Sequence, residues 1–181
     1  MGEGEETRLV AWSRELRAVH ERLREALAVT RTAVAQGVEA AEPATRELLL
    51  FCHGFCAALS GHHEGEDREL FPALAQQHPH LRDTLRQLQQ DHSMIAHLLA
   101  GLQSAVQRTA SPAELDRHLD GLAAVVESHF RYEERQLLRV LEALDLDVDV
   151  SAALGPLSAP RRRPPGAPAS RPGGRRGSSG S

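Results

Sequence analysis

Residues 111–144 read SPAELDRHLDGLAAVVESHFRYEERQLLRVLEAL, and they decide the fold. The stretch opens with three helix-start signals. Ser111 is a capping hydroxyl, Pro112 occupies the first helical position, and Glu114 sits where a capping box places its carboxylate. From there apolar residues recur every three or four positions: Leu115, Leu119, Leu122 and Val126, then Leu137, Val140 and Leu144. That spacing is one face of an amphipathic helix. The middle of the face is not apolar. His129 and Glu133 occupy it with no break in phase, and residues four apart lie one turn from each other on the same side.

Three further stretches carry the same kind of stripe. The first runs from about Thr7 to Gln36, with Leu16, His20, Leu23, Leu27, Thr30 and Val34 in phase. The second starts around Pro43–Thr45 and reaches Pro72, with Cys52, Phe55, Leu59, His62, Glu66 and Leu70. The third starts near Pro79 and reaches about Arg108, with Leu81, Leu85, Leu88, His92, Ile95, Leu99, Leu102 and Val106. Short connections make consecutive helices antiparallel neighbours. The expected fold is all-α, an up-down-up-down antiparallel four-helix bundle over residues 8–145. Residues 1–7 are expected to be a flexible N-terminus and residues 146–181 a disordered Pro/Gly/Arg/Ser-rich tail.

Each stripe places a histidine in the core, and the depths agree. His20 lies 20 residues before a turn centred near residue 40 and His62 lies 22 after it. His92 lies 18 before a turn near residue 110 and His129 lies 19 after it. At a rise of ~1.5 Å per residue, all four reach a similar level of their hairpins, about 30 Å from the turns. Glu66 and Glu133 stand one turn from their own histidines. One buried histidine is ordinarily a hydrogen-bonded core residue. Six ligand-type groups in one layer are another matter, because each buried polar group without a partner costs roughly 1–3 kcal/mol. Imidazole and carboxylate donors suit iron, manganese or zinc. Two carboxylates able to bridge favour a dinuclear centre, and the layer has no cysteine for a thiolate zinc site.

The remaining candidates sit beside this layer. His63 and Glu64 can add to it or support it, and Tyr132 could hydrogen-bond a bound ligand. His97 falls out of the stripe, while His53, His78, His80 and His118 read as helix surface or turn. Cys52 and Cys56, four apart on one helix, read as core thiols.

Bulk properties narrow the setting. The chain has 181 residues, enough for one domain with a sizeable core. Its formal charge is −4; the six arginines of the tail and the absence of acids after residue 150 leave −10 on residues 1–150. Two cysteines exclude a secreted disulfide framework. The acidic start has no apolar segment of a signal peptide, and no apolar run approaches the ~18 residues of a membrane span. The expectation is a cytoplasmic protein with no membrane contact. Nucleic acid is not an expected partner, the arginine tail offering only weak electrostatic attraction.

With these residues in hand, the chain resembles the hemerythrin-like, or HHE cation-binding, proteins of bacterial type. The resemblance covers about residues 8–145. It rests on His20, the His62/Glu66 pair followed by Leu70-Phe71-Pro72, Asp91-His92, and the His129/Glu133 pair. It implies a non-haem centre of two iron ions (Fe2+/Fe3+), oxo- or hydroxo-bridged, with His20, His62, Glu66, His92, His129 and Glu133 as candidate ligands. It also implies a small diatomic or peroxide ligand: O2, H2O2 or NO. Oxygen-carrying members place a second histidine four residues after the one matched by His92, and here that position is Ala96. This departure leaves an open site or a substitute such as His63 or water. It turns the expectation from reversible oxygen carriage toward binding or reduction of a small oxidant, with catalysis left open. The alternative is a non-enzymatic iron-responsive or iron-holding module.

Overall fold

The computed structural model describes residues 3–36, 43–144, 146 and 148–158. Helix α1 spans Glu3–Gln36, α2 Pro43–Gly65, α3 Phe71–Gln77, α4 Arg82–Gln107, α5 Pro112–Leu141 and α6 Val150–Leu154. No strand occurs among the described residues. Helix α1 packs on α2 and α5, and α4 packs on α2 and α5, so the four long helices close a ring of contacts. Cross-pairs show the directions. Arg31 meets Asp120, Arg24 meets Glu127 and His20 meets Glu134, so α1 and α5 run antiparallel. Gln87 meets Tyr132 and Arg108 meets Glu114, so α4 and α5 do too.

The stripes read from the sequence form the core. Every stripe residue named above is buried except Val140, which is half-buried. Leu16, Leu59, Leu88, Leu102, Leu119 and Leu122 are inaccessible to solvent. The Ser111 hydroxyl caps α5, accepting from the Glu114 amide at 3.3 Å. Glu114 does not complete the expected box with its own carboxylate, which instead pairs with Arg108 across the preceding turn.

Three boundaries differ from the sequence expectation. Helix α1 begins at Glu3 rather than Thr7. The second stretch does not stop at Pro72. Residues Glu66–Leu70 form one wide π-turn, with the Phe71 amide bonding to the Glu66 carbonyl, and the chain continues as α3. Proline lacks an amide and crowds the carbonyl four residues back in an ordinary helix. The widened turn before it lets Pro72 enter at the start of a new helical segment, where its missing amide costs nothing.

The third difference lies in the C-terminal region. Residues 148–158 were expected within a disordered tail, yet they fold against the bundle. The Asp149 carboxylate caps α6 by accepting from the Ser151 amide at 2.8 Å, and Ala153 and Leu154 are fully buried. A composition count understates such a segment: Val148, Val150 and Leu157 join Ala153 and Leu154 against the core, and α6 packs on α2 and the π-turn. Residues 159–181, with the arginines, lie outside the described residues, as do residues 1 and 2.

Candidate metal centre

The structure brings the six sequence-derived candidates together. His20 on α1, His62 on α2, Glu66 in the π-turn and Glu133 on α5 offer donor atoms all within 4.8 Å of one another. His92 on α4 and His129 on α5 form a second group under the same limit, and its third member is His63. His63 is 5 % exposed, its ring stacked on His92 at 4.1 Å and edge-on to His129 at 5.1 Å. His63, from α2, and Ala96, on α4, line the same pocket beside His92. Sequence reading had set His63 beside the layer, because adjacent helical residues point about 100° apart. His62 and His63 straddle the midline of their face, and each serves a different group.

The two carboxylates connect the groups. Glu66 turns one oxygen to His62 Nε2 at 3.4 Å and the other to His92 Nε2 at 3.5 Å. Glu133 Oε2 stands 3.3 Å from His20 Nε2 and 3.8 Å from His129 Nε2. These separations exceed the usual 2.7–3.2 Å of N–H···O hydrogen bonds. They are near the ~3 Å expected between neighbouring donors that share one ion at about 2.1 Å.

Satisfaction of the polar atoms tests the fit. Nε2 of His20, His62, His63, His92 and His129 and both oxygens of Glu66 and of Glu133 are buried without a hydrogen-bond partner. At roughly 1–3 kcal/mol for each such group, the layer alone would rival the ~5–15 kcal/mol stability of a domain. All nine are atoms that can donate a lone pair to a cation. This donor set fits a metal pair.

The outward ring nitrogens are held differently. Nδ1 of His20 donates to Glu134 Oε1 at 2.8 Å, and Nδ1 of His92 to Asp67 Oδ1 at 2.9 Å. Nδ1 of His62 donates to the Leu154 carbonyl at 3.1 Å. Nδ1 of His129 is the exception: it is buried without a hydrogen-bond partner, with Asp91 Oδ2 standing 3.6 Å away. An acceptor at Nδ1 fixes the tautomer that leaves the Nε2 lone pair for a metal. Glu134 is itself gripped by Arg24 at 3.3 Å, and Arg24 also donates to Glu127 at 2.8 Å. Sequence reading missed Asp67 and Glu134 as supports. Each directly follows a ligand-type glutamate, and that adjacency was the available signal.

Electrostatics differ along the layer. Burial pushes His62 down to about 3, and burial with the surrounding imidazoles pushes His63 well below its ordinary value. Burial likewise lowers His129. Neutral imidazole is the form that binds a metal. Burial opposes charge on His20 as well, but Glu133 and Glu134 outweigh it and raise that residue. Glu66 is raised well above the carboxylate range by burial and by Glu133. Glu133 is lowered: burial acts against its charge, and His20, His129 and His62 prevail.

Other candidates fall outside the layer. Tyr132 is half-buried at the surface, donates to Gln87 at 3.2 Å and lies under Arg135. Glu64 is exposed; it lines a pocket of about 170 Å³ with Ser60, His63, Asp67, His92 and Ala96, so this pocket reaches the flank of the three-histidine group. His53, His80 and His97 are exposed, and His78 and His118 are half-buried. Cys52 and Cys56 are buried free thiols, and burial raises Cys56 to about 11, away from reactive thiolate. No helix among the described residues is long and apolar enough to cross a membrane.

A bundle of helices with a buried layer of histidine and glutamate donors defines a cation-binding helical protein. The family model of the hemerythrin HHE cation binding domain matches residues 13–141, and the chain belongs to that family. No curated protein and no solved structure matches it.

Proposed function

We propose that this chain is an up-down-up-down four-helix bundle holding two iron ions, and that it binds or reduces a small oxidant: O2, H2O2 or NO. The observation that carries this reading is the pair of donor groups joined by Glu66 and Glu133. His63, His92 and His129 would hold one ion, His20 and His62 the other, with the carboxylates shared. Iron would supply the electrons exchanged with the oxidant. The protein's part is to hold the imidazole tautomers through Nδ1 and to keep water away. The position with only two imidazoles is the one we assign to the exogenous ligand. Phe130 walls it, stacked on His20 at 3.9 Å and edge-on to His62 at 6.0 Å. The cytoplasmic setting expected from the sequence accords with a reduced pool of iron and with two free thiols.

Metal analysis of anaerobically purified protein is expected to give two irons per chain, with an absorption spectrum that changes on adding O2, H2O2 or NO. Iron without any spectral response would favour the second reading, an iron-holding or iron-responsive module. The nine unpartnered atoms favour that reading too, since they tie folding to metal.

The role of His63 has its own test. The His63→Ala variant is expected to retain about one iron per chain. Adding Ala96→His, which places an imidazole on α4 across the same pocket, is expected to restore the second. Two irons in His63→Ala alone would remove His63 from the ligand set.

A further inference from the structure

The segment after α5 returns to the bundle and lies on the part of α2 that carries the histidine pair. Its grip is backbone to backbone. Gly155 has a positive φ of 79°, and a Cβ there would stand 2.7 Å from the amide nitrogen and Cα of His62. A Cβ on Gly65 would stand 2.7 Å from the Ala152 carbonyl oxygen. Both glycines are required for this approach, one also for its left-handed conformation. Two arginines tie the segment from outside: Arg68 donates to the Ala152 carbonyl at 3.3 Å, and Arg22 donates to the Leu157 carbonyl. In the middle the Leu154 carbonyl takes the Nδ1 proton of His62. Among the described residues that carbonyl is the one hydrogen-bond acceptor of His62, and it comes from a segment 92 residues away in sequence.

We propose that residues 149–158 are a strap that positions His62 for metal, so that metal occupancy and strap docking strengthen each other. The inference rests on His62 being a ligand. A carbonyl can only accept, so the docked strap requires the tautomer with hydrogen on Nδ1 and the lone pair on Nε2, the atom that faces Glu66 and the centre. With the strap away, the His62 ring loses this orientation and can exchange tautomers. Changes to an outer partner of a metal-binding histidine typically lower affinity about 10–100-fold. Linkage makes the effect reciprocal: whatever factor the strap adds to metal affinity, metal adds to strap docking.

The test uses the full chain and Fe2+ in competition with a chelator. Gly155→Ala is expected to weaken Fe2+ binding about tenfold or more. The paired change Arg22→Ala with Arg68→Ala removes the outer ties without steric insult and is expected to weaken it several-fold. Nitrogen NMR of His62 in metal-free protein should show the Nδ1–H tautomer in wild type and a mixture in both variants, a readout that general destabilisation would not move. Hydrogen exchange at residues 152–155 should be slower with Fe2+ than with chelator. Unchanged affinity and tautomer in both variants, or equal exchange with and without Fe2+, would overturn the strap while leaving the metal centre standing. A wild-type chain that takes up no metal would overturn both.

Discussion

Stripping the metal with a chelator is expected to lower the midpoint of thermal unfolding by roughly 10–20 °C while leaving most of the helix in place below it. A ligand present at about 100 times its dissociation constant stabilises the folded state by ~2.7 kcal/mol per site, so two sites supply ~5 kcal/mol. For a domain of this size each kcal/mol moves the midpoint by about 2–4 °C. The helices should persist because the stripes on either side of the layer are intact: Leu16, Leu59, Leu88 and Leu122 need no metal to be buried. What the metal-free protein loses is the means to satisfy its central donor atoms. Scanning calorimetry with and without chelator measures this directly. Identical midpoints would mean that the layer is satisfied by its own polar contacts.

Replacing Glu66 by methionine is expected to separate two quantities that usually move together. Iron content should fall from two per chain to one or none, since Glu66 is the side chain that turns one oxygen to each histidine group. The metal-free variant should at the same time be more stable than the metal-free wild type, by about 1–3 kcal/mol. Methionine fills a similar volume and leaves no orphaned oxygens. Proton uptake by Glu66, favoured by its raised value, sets the lower end of that range. Chemical denaturation in the presence of chelator, run beside metal analysis, reads both numbers. A metal-free variant weaker than wild type would show that Glu66 has a structural partner in the empty site, and the ligand argument would fail with it.

Much of this centre was legible in the sequence because helix periodicity is itself a map of burial. A histidine in phase with leucines on both sides has nowhere to go but the core, and His20, His62, His92 and His129 all went there. What periodicity cannot register is a residue one step off the stripe that still reaches inward. His63 is such a case, and Phe130 is another, fully buried next to His129. Nor does it register the π-turn, which depends on how Pro72 is accommodated rather than on any apolar pattern. The strap was hidden for a different reason. The docking of residues 149–158 depends on two glycines whose purpose is visible only once the facing backbone is in place.

The outer partners of the histidines have an order. Leu154 in α6 holds His62 on α2; Asp67, in the turn that ends α2, holds His92 on α4; Asp91 on α4 faces His129 on α5; and Glu134 on α5 holds His20 on α1. None of these four imidazoles meets its outer partner on its own helix. The sequence of dependence passes from the last helix to the first and touches each ligand-bearing helix once. Half of this protein therefore cannot be half a site. A fragment containing any two of the long helices would carry at least one histidine whose support lies elsewhere, so the capacity to bind should arise all at once, when the chain has closed on itself from end to end.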